Sequence, residues 1–184
     1  MTTPKAGHTF LAVMFLAAAL SAGAQEGRGA GKRAPEESTF DRLVVYKTDH
    51  IMEAYSGDTP VKTYAVSVGK GGASPKRRSN DNKTPEGTYR IDSRHRSKSF
   101  HLFLHVSYPN DDDRKAFKEL KKKGKLPKRA RIGGAIGIHG EKKGKEWLPH
   151  KLIDWTRGGI AVDNDEIEEL YKRVKKNAVL VIHP

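Results

Sequence analysis

Short runs in which apolar and polar positions alternate fill the chain from residue 40 to its last residue, 184. Arg42–Lys47 (RLVVYK) and His50–Tyr55 (HIMEAY) read as two strands joined by a hairpin at Thr48-Asp49. Val61–Gly69 alternates across its whole length, with Val61, Thr63, Ala65 and Ser67 on one face and Tyr64, Val66 and Val68 on the other. A period of two is the signature of a strand with one buried face. A basic, polar stretch over 71–83 interrupts the pattern, and Thr84-Pro85-Glu86-Gly87 supplies turn chemistry ahead of a strand at Thr88–Asp92. His101–Ser107, Ala135–His139 and Val179–His183 complete the expected strands. Two segments carry helical spacing instead. Asp111–Lys123 opens on three aspartates, and Asp165–Val174 places Ile167, Leu170, Tyr171 and Val174 on one face. Asp163 and Glu166 have the spacing of a capping box for the second helix. The pattern predicts a mainly β domain with about two helices.

The N-terminus follows another rule. Lys5, the apolar run Phe10–Leu20 and the small residues Ala22-Gly23-Ala24 fit a cleavable signal peptide over residues 1–24. That run is short for a membrane span, so no transmembrane segment is expected once the leader is removed. Residues 25–39 are Gly-rich, charged and nearly free of large apolar side chains, which reads as a flexible lead-in. The folded domain is expected over 40–184. Export to the periplasm or cell envelope follows from the leader.

Composition narrows the chemistry. There is no cysteine, which excludes disulfides, thiolate metal sites and a cysteine nucleophile in this chain. Lysine and arginine number 35 against 22 acids, a formal net charge of +13. In an exported protein such a charge suits anionic cell-envelope polymers better than nucleic acid, which is not expected as a partner. His101 and His105 lie four apart, but on an alternating segment they share a strand face with Phe103 and no metal motif accompanies them. Asp111-Asp112-Asp113 suits the positive end of a helix without any ion. Nothing in the pattern calls for a metal or an organic cofactor.

Four separated segments carry a more specific signal. They are Lys76-Arg77-Arg78 to Asp81 with Lys83-Thr84-Pro85-Glu86-Gly87; Phe100-His101 with Ser107-Tyr108-Pro109-Asn110 and Asp113-Arg114; Ile138-His139-Gly140; and Asp154-Trp155-Thr156-Arg157-Gly158-Gly159-Ile160-Ala161. In this order they resemble the L,D-transpeptidase catalytic domain, the YkuD family, in its branch with a D-W-T-x-G-C-I-A pattern. The terminal Val181-Ile182-His183-Pro184 resembles the end of that family's last strand. The resemblance spans residues 40–184 and implies β-sandwich-like mixed sheets. It also implies a cysteine acyl-transferase: a thiolate attacks a tetrapeptide stem of peptidoglycan, expels the terminal D-amino acid, and passes the acyl group to an amine or to water. By position His139 matches the base, Thr156 and Gly158 frame the nucleophile turn, and Gly140, His101, Tyr108 and Arg157 match the substrate side.

The nucleophile position departs from the family. Gly159 stands where the family has cysteine, and Arg157 where many members have a second histidine. A glycine cannot form the thioester, and loss of a covalent nucleophile removes several powers of ten in rate. Three readings follow from the sequence: a transpeptidase disarmed at one residue, a non-catalytic module that binds peptidoglycan stems, or a hydrolase in which His139 activates water.

Overall fold

The computed structural model describes residues 38–144 and 153–184, so the expected leader and nearly all of the lead-in lie outside the described residues. The strands are β1 (Phe40–Tyr46), β2 (Ile51–Ser56), β3 (Thr59–Ala65), β4 (Gly87–Arg96), β5 (Leu102–Val106), β6 (Gly137–His139), β7 (Ile160–Ala161) and β8 (Val174–His183). Two helices, α1 (Asp111–Lys122) and α2 (Asn164–Arg173), complete the described elements.

The strands join in one mixed sheet of order β3-β2-β1-β8-β4-β5-β6-β7. Most neighbours are antiparallel, but β1 and β8 run parallel, with Leu43 opposite Leu180 and Val45 opposite Ile182. The β6–β7 pair is parallel as well. Leu43 and Leu180 from one half of the sheet share a single apolar cluster with Leu104, Ile138 and Ile160 from the other half. The sheet therefore curls about one core. Mixed β architecture is as expected, but the layers come from one curled sheet that continues through β4.

Alternation reads the core well. Tyr64, Val66 and Val68 are buried, while Val61, on the opposite face, is exposed. The β1–β2 hairpin turns at residues 47–50, with His50 in the left-handed region at φ 55°. Strand ends are less legible. β8 begins directly after α2, five residues ahead of the expected Val179, because exposed Lys175, Lys176 and Asn177 hide it in a polar stretch. A register shift between Phe40 and Arg42 of β1 accommodates this irregular start. β4 also runs on to Arg96, with Ser93, His95 and Arg96 exposed while paired to β5.

Both helices form close to the expected limits. Asn110 caps α1 by accepting from the Asp113 N–H at 2.9 Å, and the Asp113 carboxylate returns the bond to the Asn110 N–H. Glu166 accepts from the Asp163 N–H at 3.0 Å, as a capping box for α2 requires. α2 buries Ile167 and Leu170, whereas α1 buries no residue at all. No helix among the described residues is long and apolar enough to cross a membrane.

Candidate active site

Two cavities lined by described residues stand out. The larger, about 730 Å³, lies beneath α1 and is walled by Tyr89, Tyr108, Asp113 and Phe117. The smaller, about 530 Å³, contains His139 together with Phe100, Phe103, Trp155, Arg157 and Gly159. Chemistry selects the smaller one, because there a buried histidine faces the glycine turn at 158–159.

His139 ends the three-residue strand β6 and is 3% exposed. Its ring stacks on Phe100, with centroids 4.2 Å apart, lies parallel to Phe103 at 6.0 Å, and meets Trp155 edge-on at 5.6 Å. Nδ1 lies 2.8 Å from the Gly140 carbonyl oxygen, which can only accept, so Nδ1 carries the proton. Burial pushes the His139 pKa down to about 4, against a smaller upward pull from that hydrogen bond. The ring is thus neutral at pH 7, and the free lone pair sits on Nε2.

That lone pair meets position 159. A Cβ built on Gly159 would lie 2.8 Å from His139 Nε2 and 3.0 Å from the Gly137 carbonyl oxygen. Sheet pairing produces the juxtaposition: Ile138 pairs with Ile160 and His139 with Ala161, which brings the turn before β7 against the end of β6. Thr156 shapes the turn itself. Its Oγ1 accepts from the Gly158 N–H at 3.0 Å and donates to the Gly159 carbonyl at 2.7 Å. Gly158 sits at φ +123°, and a Cβ there would meet the Lys83 carbonyl oxygen at 2.6 Å, so no other residue fits without backbone movement.

Neighbouring segments hold the turn in place. Asp154 Oδ1 accepts from the Val68 N–H at 2.9 Å, and Thr156 bridges to Gly69. The Thr84 hydroxyl accepts from the Gly69 N–H at 2.9 Å. Residues 76–83 are organised by Asp81, which accepts from Lys76 Nζ at 2.7 Å and from the N–H groups of Arg77, Arg78 and Lys83. Burial pushes the Asp81 carboxyl upward, but these four donors outweigh it and hold the pKa below its usual value. Among the described residues the cavity wall carries Lys142 and Arg157, with Lys76 already paired to Asp81, and no carboxylate. It offers an anion a favourable field and a neutral histidine at its floor.

The expected site residues divide. His139, Thr156, Arg157 and Gly159 line the cavity, and Gly158 completes the turn beside them. Three others lie elsewhere. His101 Nε2 is 2.7 Å from Glu168 on α2. A Cβ on Gly140 would run into Asn164 and Ile167, so Gly140 faces α2. Tyr108 is buried against Tyr89 at the cavity under α1. These three do not line this cavity: His101 lies just before β5, Tyr108 beyond its end and Gly140 just after β6, where the chain turns to other surfaces. The structure adds Phe100, Trp155 and Lys142 to the wall. Trp155 Nε1 is buried with no hydrogen-bond partner among the described residues. Phe100 and Trp155 both stood inside the motif segments, but the stacking of Phe100 on His139 leaves no local signal. No group of three or more metal-ligating side chains occurs among the described residues.

Comparison with known proteins agrees with this fold. No curated protein matches the chain. Among solved structures, the helical cell shape determining protein Pgp2 from Campylobacter jejuni superposes with a TM-score of 0.56 at 22% identity, over 80% of this chain and 48% of that one. Bd1075 from Bdellovibrio bacteriovorus gives 0.54 at 22%, over 79% and 48%. An L,D-transpeptidase from Enterococcus faecium gives 0.51 at 13%, over 81% and 50%. The chain thus spans about half the length of the structures it matches. The sequence model for the L,D-transpeptidase catalytic domain matches residues 41–182, and with that span the chain belongs to the YkuD family.

Proposed function

We propose that this is an exported, peptidoglycan-directed domain that binds stem peptides in the His139 cavity without transferring them. The observation that carries the reading is the Gly159–His139 contact. Nε2 stands 2.8 Å from where a Cβ would sit, so the turn is closed around a glycine and position 159 offers no side-chain nucleophile. A neutral histidine with nothing to deprotonate can still accept a hydrogen bond from a ligand N–H or O–H. Lys142 and Arg157 on the wall suit the carboxylates of a peptide stem. The leader-like residues 1–24 support export to the periplasm or cell envelope.

A second reading, a transpeptidase disarmed at one residue, draws on the same geometry. The histidine tautomer, the Thr156 bonds and the Gly158 turn are those a thiolate at 159 would use. A cysteine would first require the His139 ring to retreat by several tenths of an ångström, against its stack on Phe100.

The test incubates the protein with purified tetrapeptide muropeptides and analyses products by mass spectrometry, with binding followed by calorimetry. The expected result is binding with neither crosslinks nor tripeptides. Products from the unaltered chain, or no binding, would overturn the proposal. Products from Gly159→Cys alone would favour the disarmed enzyme.

A further inference from the structure

We infer that α1 and the segment after it form a docking track for a linear, base-free polyanion of the envelope. The choice of an envelope polymer rests on the export reading above; the track itself does not. Residues 114–131 hold ten cations and one carboxylate, Glu119, so this stretch supplies +9 of the formal +13. At ~100° per residue, Arg114, Lys115, Lys118, Lys121 and Lys122 fall within roughly 120° of one helix face. All five are exposed. Asp111 stands at the N-terminal end of this arc, and Glu119 lies outside it. Lys123, Lys125, Lys128, Arg129 and Arg131, also exposed, continue the charge beyond the helix to the glycines at 133–134, which wall the His139 cavity. None of the ten forms an ion pair among the described residues.

Helix energetics make this arrangement costly. Like charges three and four residues apart weaken a helix, and α1 sets against them only half-buried side chains such as Phe117 and Leu120, with no residue fully buried. The inner side of α1, with Phe117 and Leu120, is turned to the cavity beneath it. A capped helix with no fully buried residue and a cationic arc facing water is suited to a counter-anion that spreads along it.

The dimensions and composition of the track choose among anions. The twelve residues of α1 extend roughly 18 Å, longer than any single phosphate or carboxylate. A membrane surface would favour apolar side chains that insert, yet the exposed large apolar residues described are Val61 and Ile153, neither on the track. Single-stranded nucleic acid would favour exposed aromatic platforms, and the one aromatic ring in α1, Phe117, is half-buried. A flexible chain of repeated phosphodiesters or carboxylates needs only spaced cations.

Fluorescence anisotropy at low and raised salt tests this, with poly-glutamate, poly(glycerol phosphate), duplex DNA and anionic phosphatidylglycerol vesicles as probes. The two base-free polymers distinguish carboxylate from phosphate. The expected result is binding to at least one of them that weakens about tenfold on a fourfold rise in salt. The substitutions Lys115, Lys118, Lys121 and Lys122→Gln together should weaken it about tenfold more, with a thermal melt at or above that of the unaltered chain. Removing equal charge elsewhere, at Lys98, Lys172, Lys175 and Lys176, should change it less than threefold. Equal losses from both sets, salt-independent binding, or tighter binding to DNA or vesicles than to either polymer would overturn the inference. Stem-peptide binding measured on the same helix variant is expected to stay unchanged, so either proposal can fail while the other stands.

Discussion

The cavity around His139 and the surface of α1 treat charge in opposite ways. At His139 the fold removes water, holds the imidazole neutral and fixes its tautomer through one carbonyl. On α1 it leaves five cations in water along one face and buries no residue fully. Acid–base chemistry and directional hydrogen bonds need the first environment, because a low-dielectric site sharpens each interaction. Long-range attraction needs the second, because desolvating a lysine costs more than a flexible partner returns. One small domain thus separates a site defined by geometry from a surface defined by field.

The comparison can be broken most easily on its geometric side. Gly158→Ala places a Cβ 2.6 Å from the Lys83 carbonyl in a left-handed conformation. We expect a loss of roughly 3 kcal/mol or more in urea unfolding; a loss under about 1 kcal/mol would mean the turn is soft.

The His139 environment predicts a pH dependence next in size. The folded pKa, about 4, lies below the ordinary histidine value of 6.5. The folded state therefore resists a proton that the unfolded chain accepts. Stability from this group is full above pH 6.5 and falls as pH drops towards 4. Between pH 7.5 and 4.5 we expect roughly 2–3 kcal/mol to be lost, and His139→Phe should flatten that interval. An unchanged slope in the variant would assign the titration to other groups.

Thr156→Val removes both turn bonds while keeping the shape, and should cost about 1–2 kcal/mol, with Thr156→Ser recovering most of it. At the other extreme, Lys118→Gln in α1 should raise stability by a few tenths of a kcal/mol at low salt, and the gain should vanish at high salt. A destabilising Lys118→Gln would show that the arc has internal partners, and the contrast with His139 would weaken.

Much of this molecule is readable from one sequence. Alternation located β1, β2, β5 and the buried side of 61–69, because a strand with one wet face repeats every two residues. The three aspartates at 111–113 and the capping-box spacing of Asp163 and Glu166 mark the two helix starts, since such signals lie within four residues. The start of β8 was hidden because Lys175–Asn177 are exposed and carry no apolar signal. β7, only two residues long, is not among the expected strands, because parallel pairing with β6 is what makes it a strand. In the site, motif order picked out His139, Thr156, Arg157, Gly158 and Gly159. It could not show that His101, Gly140 and Tyr108 face elsewhere, because a motif records sequence neighbours and says nothing of which side a chain turns to.

By itself the sequence determined the strand-rich class, the two helices, the missing nucleophile and the concentration of positive charge over 114–131. Each depends on residue identity or on contacts within a few positions. Only tertiary structure decided that Gly159 closes against Nε2, that Phe100 clamps the ring, and that the two halves of the sheet share one core. Those features join residues 20 to 140 positions apart. Their energy comes from burial and from hydrogen-bond direction, which exist only once the sheet has curled.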